Sequence, residues 1–350
     1  MLAEPPFNML ENLEHVDNAI DTNADIALLI QESALQSFGI DAEAKDPIDD
    51  WRGAATSSDL DKARSTIRQL YRDWSAEGIM ERQACYDPVL DAIDNTFGVC
   101  DRSFVKVLVP GAGLGRLVFE FALRGYAVEG NEISYHQLAA SNWILNHTDV
   151  FEHHELYPFA LDFSNVVSRN HQMKKVFVPD VHAGSEIDLS NEWSSIPANE
   201  RMDMTAGDFV VLYSHEEQRE RFDAVTTVYF MDTAPNVIRY IETIHNCLRE
   251  GGVWVNLGPL LWHFAERAAE DRPSGQMEGS STATGNVGIA EPGGFELCNE
   301  ELLQLTEKMG FDIEHHEIRR DGSGYIQNPE SMLQHVYRTS YWVARKRALL

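Results

Sequence analysis

Apolar positions recur at helical spacing through roughly the first 100 residues. In DLDKARSTIRQLYRDWS, Ile67, Leu70, Tyr71 and Trp74 fall at i, i+3, i+4 and i+7, which predicts an amphipathic helix. Gln69 and Arg72 are three apart and share a face of that helix. Val89, Leu90 and Ile93 mark a second helix, with Gly98 as its expected end. From Phe104 the pattern changes to strands alternating with helices. Phe104–Val109 reads as a strand, and Leu117–Arg124 as a helix stopped by a left-handed Gly125. Ala127–Asn131 reads as the next strand, and Ser134 with Gln137 as the capping pair of a helix reaching Leu145.

Residues 148–200 break this rhythm with Pro158, Pro179, Pro197 and scattered polar positions. They read as an insertion carrying a short strand, Lys175–Val178. The rhythm returns with MDMTAGDF and the strand FDAVTTVYFMD. Pro235 suits the first turn of a helix striped by Val237, Ile241, Ile244 and Leu248, which Gly251-Gly252 should stop. VWVNLG is the following strand. Residues 271–294, rich in Gly, Ser and Pro, read as a mobile loop. Glu300–Met309 is a last helix ahead of two strand candidates, FDIEHHEI and VYRTSYWVARK.

Alternating strands and helices predict an α/β fold, with a mostly parallel sheet covered by helices on both faces. The two closing strands, with no helix between them, predict a hairpin that adds an antiparallel member. We divide the chain into a helical region, residues 1–100, and a sheet domain, residues 101–350, which carries the insertion and the loop.

The stretch VLVPGAGLGRLVFEF sets Gly111, Gly113 and Gly115 at the end of the first strand of the sheet, where such folds bind ligands. Glycine permits positive φ and close approach to the main chain. Glu132, about 20 positions on and at the end of the second strand, has the place and chemistry of a ribose acceptor. A dinucleotide site spaces its glycines G-x-G-x-x-G, so that pyrophosphate rests on a helix N-terminus. Here that third position is Arg116. The spacing suits a nucleoside without phosphate, such as S-adenosylmethionine.

Composition narrows the partners. The 350 residues carry a formal net charge of −28, which argues against nucleic acid, because neutralising phosphates needs clustered Lys and Arg. The excess suits cationic small molecules, or serves solubility alone. Cys85, Cys100, Cys247 and Cys298 have neither metal-ligand nor disulfide spacing, so a reducing compartment is expected. Neighbouring histidines point apart, so His153-His154 and His315-His316 do not form metal sites by themselves. No signal peptide is read at the start, and the most apolar stretch, Val253–Phe264, is too short to span a membrane.

The segments RSTIRQLYRDWSAEG, PGAGLGRL, GYAVEGNE, MTAGDF, MDTAPNVIRYIETI, GGVWVNLGPLLWHF and SMLQHVY resemble the carnosine N-methyltransferase family. The resemblance runs from about Phe7 to Lys346, and NLGPLLWHF is its most specific part. It implies a class I methyltransferase fold with an added helical region and an insertion. It also implies methyl transfer from S-adenosylmethionine to an imidazole nitrogen of the histidyl dipeptide carnosine, giving anserine. The family's cofactor residues match Gln69, Arg72, Gly111, Glu132, Asp208, Phe209 and the main chain near Val228, with Gly113 in the same turn. Glu132 would accept from ribose hydroxyls, and Asp208 from the adenine amino group under a covering Phe209. Gln69 and Arg72 would hold the methionine end. The substrate residues match Tyr229, Asp232, His263, Tyr325 and Tyr337. Asp232 or His263 is expected to fix the imidazole tautomer and take the surplus proton. Compared with the family, the region upstream of Phe7 is shortened and the loop Asp271–Gly294 lengthened. A homodimer in the cytoplasm, or in cytoplasm and nucleus, is expected. The alternatives are a methyltransferase for protein histidine or another small imidazole, a non-catalytic binding module, and, disfavoured by Arg116, a Rossmann dehydrogenase.

Overall fold

The computed structural model describes residues 1–40, 53–189, 193–264 and 296–348. Three helices come first: α1 (Met9–Phe38), α2 (Ser57–Trp74) and α3 (Ile79–Phe97). Strands and helices then alternate: β1 (Lys106–Pro110), α4 (Arg116–Leu123), β2 (Ala127–Glu132) and α5 (Tyr135–Asn146). Between α5 and the next sheet strand lie β3 (His154–Leu156), α6 (Arg169–Gln172), β4 (Val176–Val178) and α7 (Ala183–Leu189). The chain continues through β5 (Met202–Ala206), α8 (Phe209–Tyr213), β6 (Phe222–Val228), α9 (Val237–Cys247) and β7 (Leu248–Gly258). It closes with α10 (Asn299–Lys308), β8 (Phe311–Ile318) and β9 (Ser340–Lys346).

Seven strands form one sheet in the order β5-β2-β1-β6-β7-β9-β8. The first five run parallel, and β9 runs antiparallel to both β7 and β8. The closing pair therefore adds the antiparallel member that the sequence pattern predicts, and the α/β class holds. This strand order is that of class I methyltransferases. β3 and β4 pair separately.

Strand alternation sends successive side chains to opposite faces. Val107, Val109, Val253 and Val255 pack with Val89, Leu90 and Ile93 of α3 and with Leu117, Val118 and Phe121 of α4. Leu108, Val225 and Trp254 pack on the other face with Ile241 and Ile244 of α9, Phe311 and Trp342. A third cluster joins Leu70, Tyr71 and Trp74 of α2 to Trp143, Phe159, Val176 and Val178. The helical stripe read from the sequence is therefore the face that grips the β3–β4 segment.

Four local expectations are corrected. The Gly251-Gly252 pair does not stop α9, which already ends at Cys247. Leu248 opens β7, and the glycines fall where its register with β6 shifts, with Gly251 at φ 69°. Pro235 lies ahead of α9, because Asn236 caps it by accepting from the N–H groups of Ile238 and Arg239. The first strand starts at Lys106, since Arg102–Phe104 forms a 3-10 turn capped by Asp101. Val336 and Tyr337 precede the last strand: β8 ends at Ile318, so the ladder has no partner beyond Ser340. Tyr337 instead bridges Ser323. The loop 271–294 lies outside the described residues. Among the described residues no helix is long and apolar enough to cross a membrane.

Candidate active site

The carboxyl ends of β1, β2, β5, β6 and β7 open onto one cavity of about 550 Å³. Its volume lies in the range of small-molecule sites, roughly 300–1,000 Å³. The strand order reverses between β1 and β6, where an open α/β sheet leaves a crevice. All thirteen residues singled out above line this cavity: Gln69, Arg72, Gly111, Gly113, Glu132, Asp208, Phe209, Val228, Tyr229, Asp232, His263, Tyr325 and Tyr337. They come from seven separate stretches of chain, with Tyr325 and Tyr337 counted as one.

The glycine turn is shaped by its own strain-free access to positive φ. Gly111 and Gly113 sit at φ 69° and 59°. A Cβ on Gly111 would stand 2.6 Å from the Phe230 ring, so the turn packs against the segment after β6 only without a side chain. Glu132 braces this turn. One carboxylate oxygen accepts from the Gly113 N–H (2.9 Å), and the other from the N–H groups of Ile133 and Ser134 (2.9 and 2.8 Å). Burial raises the Glu132 pKa despite these three donors.

Arg116, in the dinucleotide glycine position, is buried and paired. It pairs with Glu120 (3.0 Å) and Asp180 (2.6 Å) and donates to the Asp73 carbonyl. A large, buried side chain thus stands where the dinucleotide pattern needs glycine for close helix–strand packing, which disfavours the dehydrogenase alternative.

Asp208 caps α8 through Oδ1, which accepts from the Val211 N–H. Phe209 is 3% exposed, walled in by Phe230 and Tyr240 at 5.5 Å each. Across the cavity, α2 presents Gln69 and Arg72. The Arg72 guanidinium pairs with Asp73 (2.7 Å) and lies 4.6 Å over the Tyr325 ring. Burial would lower its pKa, but Asp73 and Tyr325 outweigh that and hold it well above the ordinary value.

Tyr229, Tyr325 and Tyr337 form an aromatic corner. The Tyr229 ring lies 5.2 Å from Tyr325 and 6.0 Å from Tyr337. Tyr229 adopts φ 53°, a strained conformation of the kind that collects at functional sites. Asp232 is 3% exposed in the turn after β6. Its carboxylate accepts from the Leu261 N–H (2.9 Å), and its carbonyl from the His263 N–H (3.0 Å). These two bonds pin Leu261–His263 beside Asp232. Burial raises the Asp232 pKa, opposed by the Leu261 bond and by charge on His263. The His263 side chain itself is exposed toward the cavity.

The cavity has a wall that sequence reasoning missed. Glu81, Arg82, Cys85 and Tyr86 of α3 line it, with Tyr240 of α9 and Gln137 of α5. One signal was legible: Arg82 and Cys85 continue the buried stripe of Val89 and Ile93 at helical spacing. Among the described residues no group of three or more His, Cys, Asp or Glu could hold a metal ion.

The lining fits S-adenosylmethionine. The turn at Gly111 has no room for a Cβ, Glu132 and Asp208 offer carboxylates able to accept from hydroxyl and amino groups, and an acidic lining suits a sulfonium cation.

A family model described as "Carnosine N-methyltransferase" matches residues 49–348. A "Carnosine N-methyltransferase" of Schizosaccharomyces pombe is 34% identical over 348 residues, 99% of this chain and 85% of that protein. One from Rattus norvegicus is 35% identical over 342 residues, 96% of this chain and 75% of that protein. A solved Burkholderia thailandensis 1,6-didemethyltoxoflavin-N1-methyltransferase, 16% identical, covers 88% of this chain and 98% of its own at a TM-score of 0.39. A match over most of the chain, with two relatives above 30% identity, places this protein in the carnosine N-methyltransferase family.

Proposed function

We propose that this enzyme methylates an imidazole nitrogen of carnosine, using S-adenosylmethionine as donor. The observation that carries the reading is the meeting, in one cavity, of a glycine turn braced by Glu132 with the pinned pair Asp232 and His263.

Gly111, Gly113, Glu132, Asp208, Phe209 and the main chain at Val228 hold the nucleoside, and Gln69 and Arg72 its methionine end. The region up to about residue 100 packs on this cofactor site. The sulfonium supplies an already activated methyl group, so the protein's task is alignment. Alignment of this kind supplies roughly 7–11 kcal/mol in favourable cases.

A free imidazole has a pKa near 6.5 and is mostly neutral at pH 7. Only its unprotonated nitrogen has a lone pair to attack. The Asp232 carboxylate, one oxygen fixed by Leu261, accepts from the other ring N–H and so selects the tautomer. Methylation makes the ring cationic, and Asp232 or His263 then accepts the surplus proton. Tyr229, Tyr325 and Tyr337 wall the dipeptide and orient it. A homodimer in the cytoplasm, or in cytoplasm and nucleus, completes the reading, and the charge of −28 speaks against a nucleic-acid partner.

Two variants test these roles. Asp232→Asn and His263→Ala should lower kcat about 10²-fold or more, while calorimetry with S-adenosylhomocysteine shows little change in cofactor affinity. Equal losses of rate and cofactor affinity would contradict the assignment.

A further inference from the structure

Glu81, in the first turn of α3, reaches across the molecule to the loop that carries Tyr325. Its Oε2 accepts from the Ile326 N–H (2.7 Å) and its Oε1 from the Gln327 N–H (2.9 Å). Three further observations converge on this turn. Ile326 is β-branched yet sits at φ 52°, a costly conformation that persists only where the surroundings impose it. Its side chain is buried in the cluster beneath α2. Gly324 is crowded by the same carboxylate: a Cβ there would stand 2.8 Å from Glu81 Oε1. Tyr325, between them, lines the cavity with its ring under the Arg72 guanidinium and tilted against Tyr229.

We infer that Glu81 is a positioning residue: its carboxylate clamps the strained turn Gly324–Gln327 and thereby sets the Tyr325 ring between Arg72 and Tyr229. A carboxylate is suited to this, since its two oxygens accept from two adjacent N–H groups at once. A carboxamide supplies one acceptor oxygen and puts an NH₂ donor against the second N–H. Glu81 therefore acts on substrate orientation through Tyr325. The link to substrate rests on the function proposed above; the clamp itself does not.

The test has a structural arm and a kinetic arm. In protein labelled with 3-fluorotyrosine, the Tyr325 resonance is identified by its loss in Tyr325→Phe. Glu81→Gln should move that resonance toward the position of free fluorotyrosine. With carnosine, Glu81→Gln should raise KM about tenfold with kcat changed less, and leave the affinity for S-adenosylhomocysteine as in wild type. In a Tyr325→Ala background Glu81→Gln should add less than about a twofold further change, because residues that act through one another do not add. An unmoved resonance overturns the clamp. Losses that multiply in the double variant overturn action through Tyr325 and mark Glu81 as a direct substrate contact. If Glu81→Gln does not fold, Gly324→Ala pushes on the same carboxylate and should move the Tyr325 resonance; an unmoved one overturns the clamp equally. A moved resonance in a protein that turns over no histidyl dipeptide sinks the proposed substrate and leaves the clamp standing.

Discussion

Asp232 is held at 3% exposure with the Leu261 N–H on its carboxylate. Burial raises its pKa above the ordinary aspartate value, so the folded protein binds that proton more tightly than the unfolded chain does. The stability linked to this group is therefore full below the unfolded pKa and is lost as pH rises through the folded one. At neutral pH the ionised form is a cost to folding. Asp232→Asn, which keeps an acceptor for Leu261, should melt no lower than wild type at pH 7. Any gain should shrink as the pH falls toward the ordinary carboxylate range. A variant less stable at pH 7, with a gap that closes on acidification, would contradict this. The same residues were legible to different degrees. Gly111, Gly113 and Glu132 could be read from spacing and strand context. Asp232 and His263 needed the family resemblance, since a lone buried histidine or aspartate has many uses. Glu81 was invisible because its partners lie about 245 positions away, and no local pattern encodes such a pair.

At the scale of elements, Asp180 staples the β3–β4 segment to the rest of the molecule. Its carboxylate takes Arg82 of α3 and Arg116 of α4, each at 2.6 Å, and all three side chains are at most 10% exposed. Removing one partner of a buried pair strands the others. Asp180→Ala should therefore cost about 3–5 kcal/mol in urea unfolding. A loss under about 1 kcal/mol would place these charges in the solvent-screened class instead. The strand and helix rhythm predicted the sheet and its closing antiparallel strand because period-2 and period-3.6 patterns are local. The errors arose where tertiary pairing decides. Leu248 continues the apolar stripe of α9, yet its pairing with Phe222 draws it into β7. Val336 and Tyr337 have strand composition but stand beyond the end of their neighbour, so they leave the sheet.

For the whole molecule, the fold gathers residues from both ends of the chain around one crevice. Gln69 and Arg72 come from the helical region, and Tyr325 and Tyr337 from the segment before the last strand. Family membership and this crevice agree on methyl transfer to an imidazole. The measurement that bears most directly on that conclusion uses S-adenosylmethionine labelled in its methyl group. The protein is incubated with it and with carnosine, histidine, other histidyl dipeptides and cell lysate, and the products are located by NMR. We predict that the label enters carnosine on a ring nitrogen, giving anserine, in preference to free histidine and to lysate proteins. Label that enters lysate proteins while carnosine stays unmodified, or that leaves no imidazole methylated, would contradict the account.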